Sequence, residues 1–341
     1  MRKLASIQTI KYVKPIPDAD SIETVCVLGW EVVSKKGEFQ PGDTCVFFEI
    51  DSLLPEVPEF EFLRKSCWND NLKKYRLKTV KLRKQLSQGL ALPTSVFPIL
   101  AGLTAGADVT DLLGVEKYEP PIPAQIVGDA KSFSWPISKT DETRVQLDDE
   151  YGFIERLIGE PYYISLKLDG TSSTFLIDPK DETFHVCGRN YSYKRNDTHT
   201  FWKIAERYNI EQRLRSFVDK GNNRIAIQGE IVGPGIQKNP LGLNIPDLYI
   251  FNVVDIINNT RFSLDMSMFI VQELGLKFVP IVDKGSSFAY TKTDLLEMAK
   301  GKYKTHFASA KDSQDREGIV IRSICGEISF KAINNDFLLK E

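Results

Sequence analysis

Ser165-Leu166-Lys167-Leu168-Asp169-Gly170 is the stretch on which the reading of this chain turns. An apolar, β-prone segment from Tyr162 leads into the lysine, and a second β-prone run, Thr171–Ile177, leaves after the glycine. A lysine ending a buried strand beside a glycine turn can face a pocket, and glycine permits backbone shapes closed to larger residues. The four-letter K-x-D-G pattern arises often by chance, so its surroundings must carry the argument.

Lysine is a nucleophile only as the free amine. Its ordinary pKa of about 10.4 is often tuned to roughly 7–8 in catalytic lysines, through burial, a nearby cation or a metal. Such an amine can attack the α-phosphorus of a nucleotide, and that chemistry needs a divalent metal to screen the oxygens. Magnesium keeps several waters and takes few carboxylates, so a few acids at strand ends, well apart in sequence, are expected. Asp169 is already in place. Glu230 ends Arg224-Ile225-Ala226-Ile227-Gln228-Gly229-Glu230, and Glu317 opens Arg316-Glu317-Gly318-Ile319-Val320-Ile321-Arg322. Lys331, in Ile328-Ser329-Phe330-Lys331, is placed to contact an α-phosphate and stabilise transition-state charge. Arg189-Asn190 adds donors for a ribose or phosphate, and Phe251 a ring for a purine. Each has a bland alternative: solvated strand-end acids, a core phenylalanine, a snorkelling lysine, a surface arginine. The functional case rests on their order and spacing as a set.

Around this series, strand candidates lie at 162–166, 171–177, 183–187, 224–228, 248–255, 318–322 and 327–331. Helix candidates lie at 149–158, 198–208, 264–274 and 293–300, the last with Thr291 and Asp294 at capping-box spacing. This mixture argues an α+β domain. Upstream, Glu119-Pro120-Pro121-Ile122-Pro123 reads as a stiff linker, which divides the chain into domains 1–122 and 123–341. The first domain reads as short strands at 22–28, 30–33, 43–50 and 75–82 between turn-formers, a small barrel. Within it, Lys73, Lys74, Arg76, Lys78, Lys81, Arg83 and Lys84 stand in a stretch without an acid. Two readings stay open for them: a lysine-protected edge strand, or a phosphate-binding face with Tyr75 as a stacking ring.

As a series, Lys167-Leu168-Asp169-Gly170, Gly188-Arg189-Asn190, Gly229-Glu230-Ile231-Val232-Gly233-Pro234, Phe251-Asn252-Val253-Val254-Asp255-Ile256, Glu317-Gly318-Ile319-Val320-Ile321 and Ser329-Phe330-Lys331 resemble the motifs of the covalent nucleotidyltransferase superfamily of polynucleotide ligases and mRNA capping enzymes. Lys14-Pro15-Ile16-Pro17-Asp18-Ala19-Asp20, Gly29-Trp30, Gly42-Asp43, Glu49-Ile50-Asp51-Ser52-Leu53-Leu54-Pro55 and Leu86-Ser87-Gln88-Gly89-Leu90 resemble the OB module of Naegleria-type and Deinococcus-type RNA ligases. Ten residues follow Lys331, so the OB module is expected only before the nucleotidyltransferase domain, the order of that RNA ligase branch. The resemblance implies an N-terminal OB-like β-barrel, ATP with Mg2+ or Mn2+, and RNA with nicked or paired ends. It implies a lysyl-AMP on Lys167, transfer of AMP to a 5′-phosphate, and sealing by a 3′-hydroxyl. It further implies a hydrated metal at Asp169, Glu230 and Glu317, adenine read by the backbone at Leu166, ribose or RNA-end contact by Arg189, and pyrophosphate contact by Lys139 and Arg144. Two departures stand out: Ser329 precedes Lys331 where many relatives have two lysines, and Leu166 stands where other branches place glutamate. Rival readings are a non-catalytic OB-fold nucleic-acid-binding protein, an ATP-dependent DNA ligase and a guanylyltransferase.

Bulk composition agrees with a two-domain globular chain. It has 341 residues, 42% hydrophobic and 26% charged, with a net charge of −2, so any nucleic-acid site must be a local patch. No apolar run suits a bilayer span, and the start lacks an apolar signal core. Five cysteines at 26, 45, 67, 187 and 325 fit no zinc spacing and read as reduced thiols of an intracellular protein. His185, His199 and His306 are isolated and read as packing residues. A monomer without membrane association is expected.

Overall fold

The first strand of the chain, Ala5–Pro15, pairs antiparallel with both Thr44–Phe48 and Ile22–Val27, and it organises a five-stranded sheet completed by Leu90–Pro93 and Trp30–Lys35. It escaped the sequence reading because an irregularity at Lys11 breaks its alternation: Ile10 pairs with Val27 but Tyr12 with Cys26, a bulge that shifts the period by one residue. The run Cys45-Val46-Phe47-Phe48 is buried throughout. Val46 and Phe48 join one apolar cluster with Ile7 and Phe60, while Cys45 and Phe47 join another with Trp30 and Val32. A continuous apolar strand signals burial on both faces.

The computed structural model describes residues 3–119, 130–132, 137–221 and 223–340. Residues 120–123 of the linker expected at 119–123, and residues 133–136, lie outside the described residues. By internal contacts the chain divides into two units, Met1–Pro121 with Gln146–Tyr151, and Ile122–Val145 with Gly152–Lys340. A boundary at 122/123 places 146–151 in the second domain, whereas they cluster with the first. Leu147 packs with Trp30 and Phe47, and Asp149 and Glu150 pair with Lys11 and Lys3. The helix expected at 149–158 is accordingly two short helices, Asp148–Tyr151 and Phe153–Leu157, parted by Gly152 at φ 62°.

The single strand expected at 75–82 is also two, Lys74–Arg76 and Thr79–Leu82, and the second forms a hairpin with Gln85–Gln88. Leu82 pairs with Gln85, leaving a two-residue turn of Arg83 and Lys84, both at positive φ (47° and 68°).

The second unit holds two sheets. One runs in the order Ala130–Ser132, Tyr191–Tyr193, Phe184–Cys187, Thr171–Ile177, Ile225–Val232, Asp247–Asp255, Thr260–Arg261, with Lys277–Phe278 alongside Asp247–Asp255. The other runs Thr143–Arg144, Ser329–Ile333, Gly318–Ser323, Tyr162–Lys167, Ile281–Gly285. Helices Thr200–Arg207, Ile210–Asp219 and Leu264–Glu273 cover the first sheet's apolar core, and Lys292–Ala299 packs with the second. The capping box at Thr291 and Asp294 is formed by both bonds. All five cysteines are free thiols, and no helix among the described residues is long and apolar enough to cross a membrane.

Lys167 ends a strand of the second sheet and Thr171 begins one of the first, so the chain crosses between sheets within Leu168-Asp169-Gly170. Gly170 serves by size: a Cβ there would lie 2.4 Å from Ile231 O and 2.9 Å from Glu230 Cγ. The sequence reading assigned it a special backbone shape; the constraint is close approach instead. Gly170→Ala is expected to lower stability by about 1–3 kcal/mol through overpacking, read from the midpoint of urea unfolding; an unchanged midpoint would mean the strand Ile225–Val232 yields without cost.

Candidate active site

Register in the second sheet decides what faces the site. Lys167 pairs with Gly318, Ser165 with Val320, Val320 with Lys331, and Lys331 with Arg144. Registered neighbours share a face, as do residues two apart along a strand, so Lys167, Lys331 and Arg144 rise from one face. The opposite face carries Val145, Ile164, Ile319, Ile321, Phe330 and Ala332, all in one buried cluster.

Lys167 Nζ donates to Glu317 Oε1 at 2.6 Å, with both side chains partly buried. Burial pulls the amine down, but Glu317, Glu230 and Asp169 together outweigh it and hold Lys167 above its ordinary 10.5. The same burial, with Glu317 and Asp169 as neighbouring negative charges and Lys167 opposing, pushes the Glu230 carboxyl up to about 8. The lysine expected near neutrality is therefore protonated here. Lys331 takes the low value instead, pushed down to about 7 by burial and then by the charges of Lys167 and Arg144.

The segment before the strand Thr143–Arg144 brings the remaining polar groups. Arg189 forms an ion pair with Asp141 through both carboxylate oxygens, and Lys139 Nζ donates to Asn190 Oδ1 at 3.1 Å. Leu166 is buried and its N–H donates to Pro280 O at 2.9 Å, so that N–H is not offered to a base. Phe251 is half-buried at a bulge: Gln228 pairs with Asn252 and Gly229 with Ile250, leaving Phe251 as the extra residue, a device that re-aims a side chain.

Beneath these groups lies a charged network that sequence reading missed. Arg322, 2% exposed, donates to Glu142 Oε1 at 2.9 Å, to Phe251 O at 2.9 Å and to Ser329 Oγ at 2.9 Å. Arg261 adds a second cation 3.4 Å from Glu142. Burial alone would raise the Glu142 carboxyl, yet Arg322 and Arg261 hold it below its ordinary 4.5. Ser329 thus occupies the place of the first motif lysine as a partner of Arg322, where a second cation would face a buried guanidinium. Tyr303, also missed, is fully buried, and its hydroxyl meets the backbone of Lys167, Asp169 and Glu317.

The donor set suits a hydrated cation. Among the described residues only Asp178, Asp181 and His185 bring ligand atoms within 4.8 Å of one another, and Asp178 and Asp181 accept backbone N–H groups of their own turn. Asp169, Glu230 and Glu317 are spaced more widely yet share one field around Lys167. Oxygen donors too far apart for one bare ion fit a metal that keeps its waters.

The basic stretch divides. Lys73, Lys74 and Arg76 pair with Asp70, Glu116 and Asp51, and Arg76 also lies over Tyr118. Tyr75 is fully buried, edge-on to Trp68 and donating to Glu61, so it is core and not a stacking ring. Lys78, just before the hairpin, and Lys81, Arg83 and Lys84 on it are exposed and, among the described residues, have no ion-pair partner.

The family described as RNA ligase matches residues 160–333, and an OB-fold domain family matches residues 4–94. Three similar solved structures are of Naegleria gruberi RNA ligase. A lysine-to-alanine mutant with ATP and Mn has 37% identity and a TM-score of 0.88, covering 99% of each chain. A lysine-to-methionine mutant with AMP and Mn has 38% identity and a TM-score of 0.89, covering 100% of this chain and 99% of that one. The protein with PPi has 37% identity and a TM-score of 0.87, covering 100% of this chain and 99% of that one. No curated protein matches the chain.

Removing one partner of the Glu142 network leaves a buried charge uncompensated, at about 3–5 kcal/mol. Glu142→Gln is expected to show a loss of that size at neutral pH. Because the native carboxyl titrates below 4.5, its contribution is complete above the unfolded value and fades as pH falls through the native one. The variant's urea midpoint should therefore vary less with acid than wild type; parallel acid limbs would contradict this assignment.

Proposed function

The chain belongs to the RNA ligase family, and from that membership we propose that it joins RNA 3′-hydroxyl and 5′-phosphate ends with ATP through a lysyl-AMP on Lys167. One observation carries the reading: Lys167 Nζ lies 2.6 Å from Glu317 Oε1, in the field of Glu230 and Asp169, on the face that bears Lys331 and Arg144. The ATP, AMP, Mn and PPi named with the Naegleria relatives support the same reactants and products here.

In the first step the proton that Nζ directs at Glu317 passes to solvent, and a second N–H proton follows it as the phosphoramidate forms. The nitrogen lone pair then attacks the α-phosphorus. An N–P bond forms as the bond to the bridging oxygen breaks, and its electron pair departs with pyrophosphate. Lys331 and Arg144 supply positive charge toward the phosphate oxygens, and an approaching anion restores the full charge of Lys331. A divalent cation, magnesium or manganese, held through waters by Asp169, Glu230 and Glu317 would screen those oxygens. Lys139 serves the pyrophosphate, and Phe251 the purine face. In the second step an RNA 5′-phosphate oxygen displaces Lys167 from the AMP phosphorus. In the third, a 3′-hydroxyl attacks the 5′-phosphorus and AMP leaves. Arg189, paired with Asp141, exchanges that carboxylate for an RNA phosphate, a like-for-like anion swap, or donates to a ribose.

RNA contact outside the site is assigned to Lys78, Lys81, Arg83 and Lys84. A two-residue hairpin turn with positive φ at both positions is ordinarily Asn-Gly. A larger side chain there costs of order 1–3 kcal/mol. Two cations at that tip trade turn stability for charge on an exposed strand pair.

Incubation with α-labelled ATP and magnesium should leave label on the denatured wild-type chain and none on Lys167→Ala; a labelled variant would make another residue the nucleophile. Label from ATP and not GTP, together with sealing that requires RNA at the 3′-hydroxyl side, separates this reading from a guanylyltransferase and a DNA ligase.

Arg83→Asn combined with Lys84→Gly is expected to raise the melting temperature while weakening RNA binding. The slope of log affinity against log salt should fall by about 1.4, two single-strand phosphate contacts. Undiminished RNA affinity would remove the hairpin from the interface.

A further inference from the structure

The chemistry assigned to Lys167 requires its strand end, the Asp169 turn and the Glu317 strand start to keep a fixed mutual geometry. These three points belong to segments 150 residues apart in the chain. Their common attachment is the phenol of Tyr303. Its hydroxyl donates to Lys167 O at 2.9 Å and accepts from Asp169 N at 2.9 Å and Glu317 N at 3.2 Å. A phenolic hydroxyl offers one donor and acceptor lone pairs, so one atom meets one carbonyl and two N–H groups with its full capacity. The ring is fully buried among Leu166, Leu168, Val279 and Phe307, and its backbone is tied to Gln314 O. The oxygen is therefore held from behind by packing that the site does not supply.

We propose that Tyr303 is a positioning residue for the first step, its hydroxyl setting the spacing of the Lys167 amine against the carboxylates of Asp169 and Glu317. The assignment rests on the lysyl-AMP reading above. Tyr303 touches no reacting atom; it acts through three backbone groups. Loss of the hydroxyl frees the turn and the strand start to move independently, which weakens metal binding and slows adenylylation together. Partners one step removed from a metal cost about 10–100-fold in affinity or activity when lost.

The test compares wild type, Tyr303→Phe and Phe307→Leu, the last a change in the same apolar cluster without a hydroxyl. The manganese concentration giving half-maximal self-labelling is expected to rise about 10–100-fold in Tyr303→Phe, with partial recovery of rate at saturating metal. Phe307→Leu should lower the melting temperature and leave that manganese midpoint in place. Equal midpoints in wild type and Tyr303→Phe would overturn the proposal, as would a shift of equal size in Phe307→Leu. Amide hydrogen exchange on the wild-type protein gives a readout free of activity and of any folding defect in the variant: the N–H groups of Asp169 and Glu317 should be protected, and rapid exchange at either would overturn the proposal. Absence of label on wild type would instead defeat the lysyl-AMP reading, leaving the exchange result to judge Tyr303 alone.

Discussion

One partly buried amine among three carboxylates sets the terms for the rest of this fold. Lys167 alone would be expensive to desolvate as a cation, and Glu317, Glu230 and Asp169 would be expensive as unpaired anions. Together they make a local excess of negative charge, which keeps the amine protonated and drives Glu230 toward its neutral form. Such a cluster is poised to accept positive charge. On the proposed reading, a hydrated cation held there would offset the negative charge that keeps Lys167 protonated, so metal binding and nucleophile activation would draw on the same electrostatic term.

A cluster of this kind cannot hold itself in place, since its members repel as well as attract. Two buried supports supply rigidity. The phenol of Tyr303 fastens three backbone segments with uncharged hydrogen bonds. The Glu142, Arg322 and Arg261 network ties the approach segment to the strands bearing Ser329 and Phe251. The second support accounts for a departure from the family pattern: with Arg322 buried beside Ser329, the hydroxyl accepts a bond where a lysine would set a second cation against the guanidinium.

Much of this was legible in residue order. The six motif segments fall on strands or their ends near where periodicity placed them, and Lys167, Glu230, Glu317 and Lys331 share one field. RNA ligase and OB-fold membership agree with the resemblance the motifs carried. What stayed hidden was whatever depends on partners distant in sequence. Tyr303 is an ordinary tyrosine until its hydroxyl meets Lys167, 136 residues away. Glu142 and Arg322 are ordinary surface charges until burial pairs them. The strand Ala5–Pro15 was masked by a bulge, and Tyr75 looked exposed because cations flank it on both sides while its own position points inward. The amine near neutrality proved to be Lys331 and not Lys167, because a pKa reports neighbours on adjoining strands that local sequence does not reveal.

A chain of net charge −2 that handles RNA must concentrate its cations, and the distribution shows how. Lys74 and Arg76 face acids of their own unit, Arg189 faces Asp141, and Lys167 faces Glu317. The first three of these pairs are largely solvent-facing, so their net worth to stability is small, whereas the Lys167–Glu317 pair is more deeply buried. The pairs matter for competition: an arriving phosphate must displace a carboxylate before it gains the cation, which penalises weak or misplaced anions more than a multivalent strand. The hairpin cations Lys78, Lys81, Arg83 and Lys84 carry no such toll. On the proposed RNA contacts, encounter at the hairpin would be governed by long-range, salt-sensitive attraction, whereas a phosphate reaching Arg189 would have to displace Asp141. Under that proposal, selectivity for a properly seated RNA end would need no excess of positive charge over the chain as a whole.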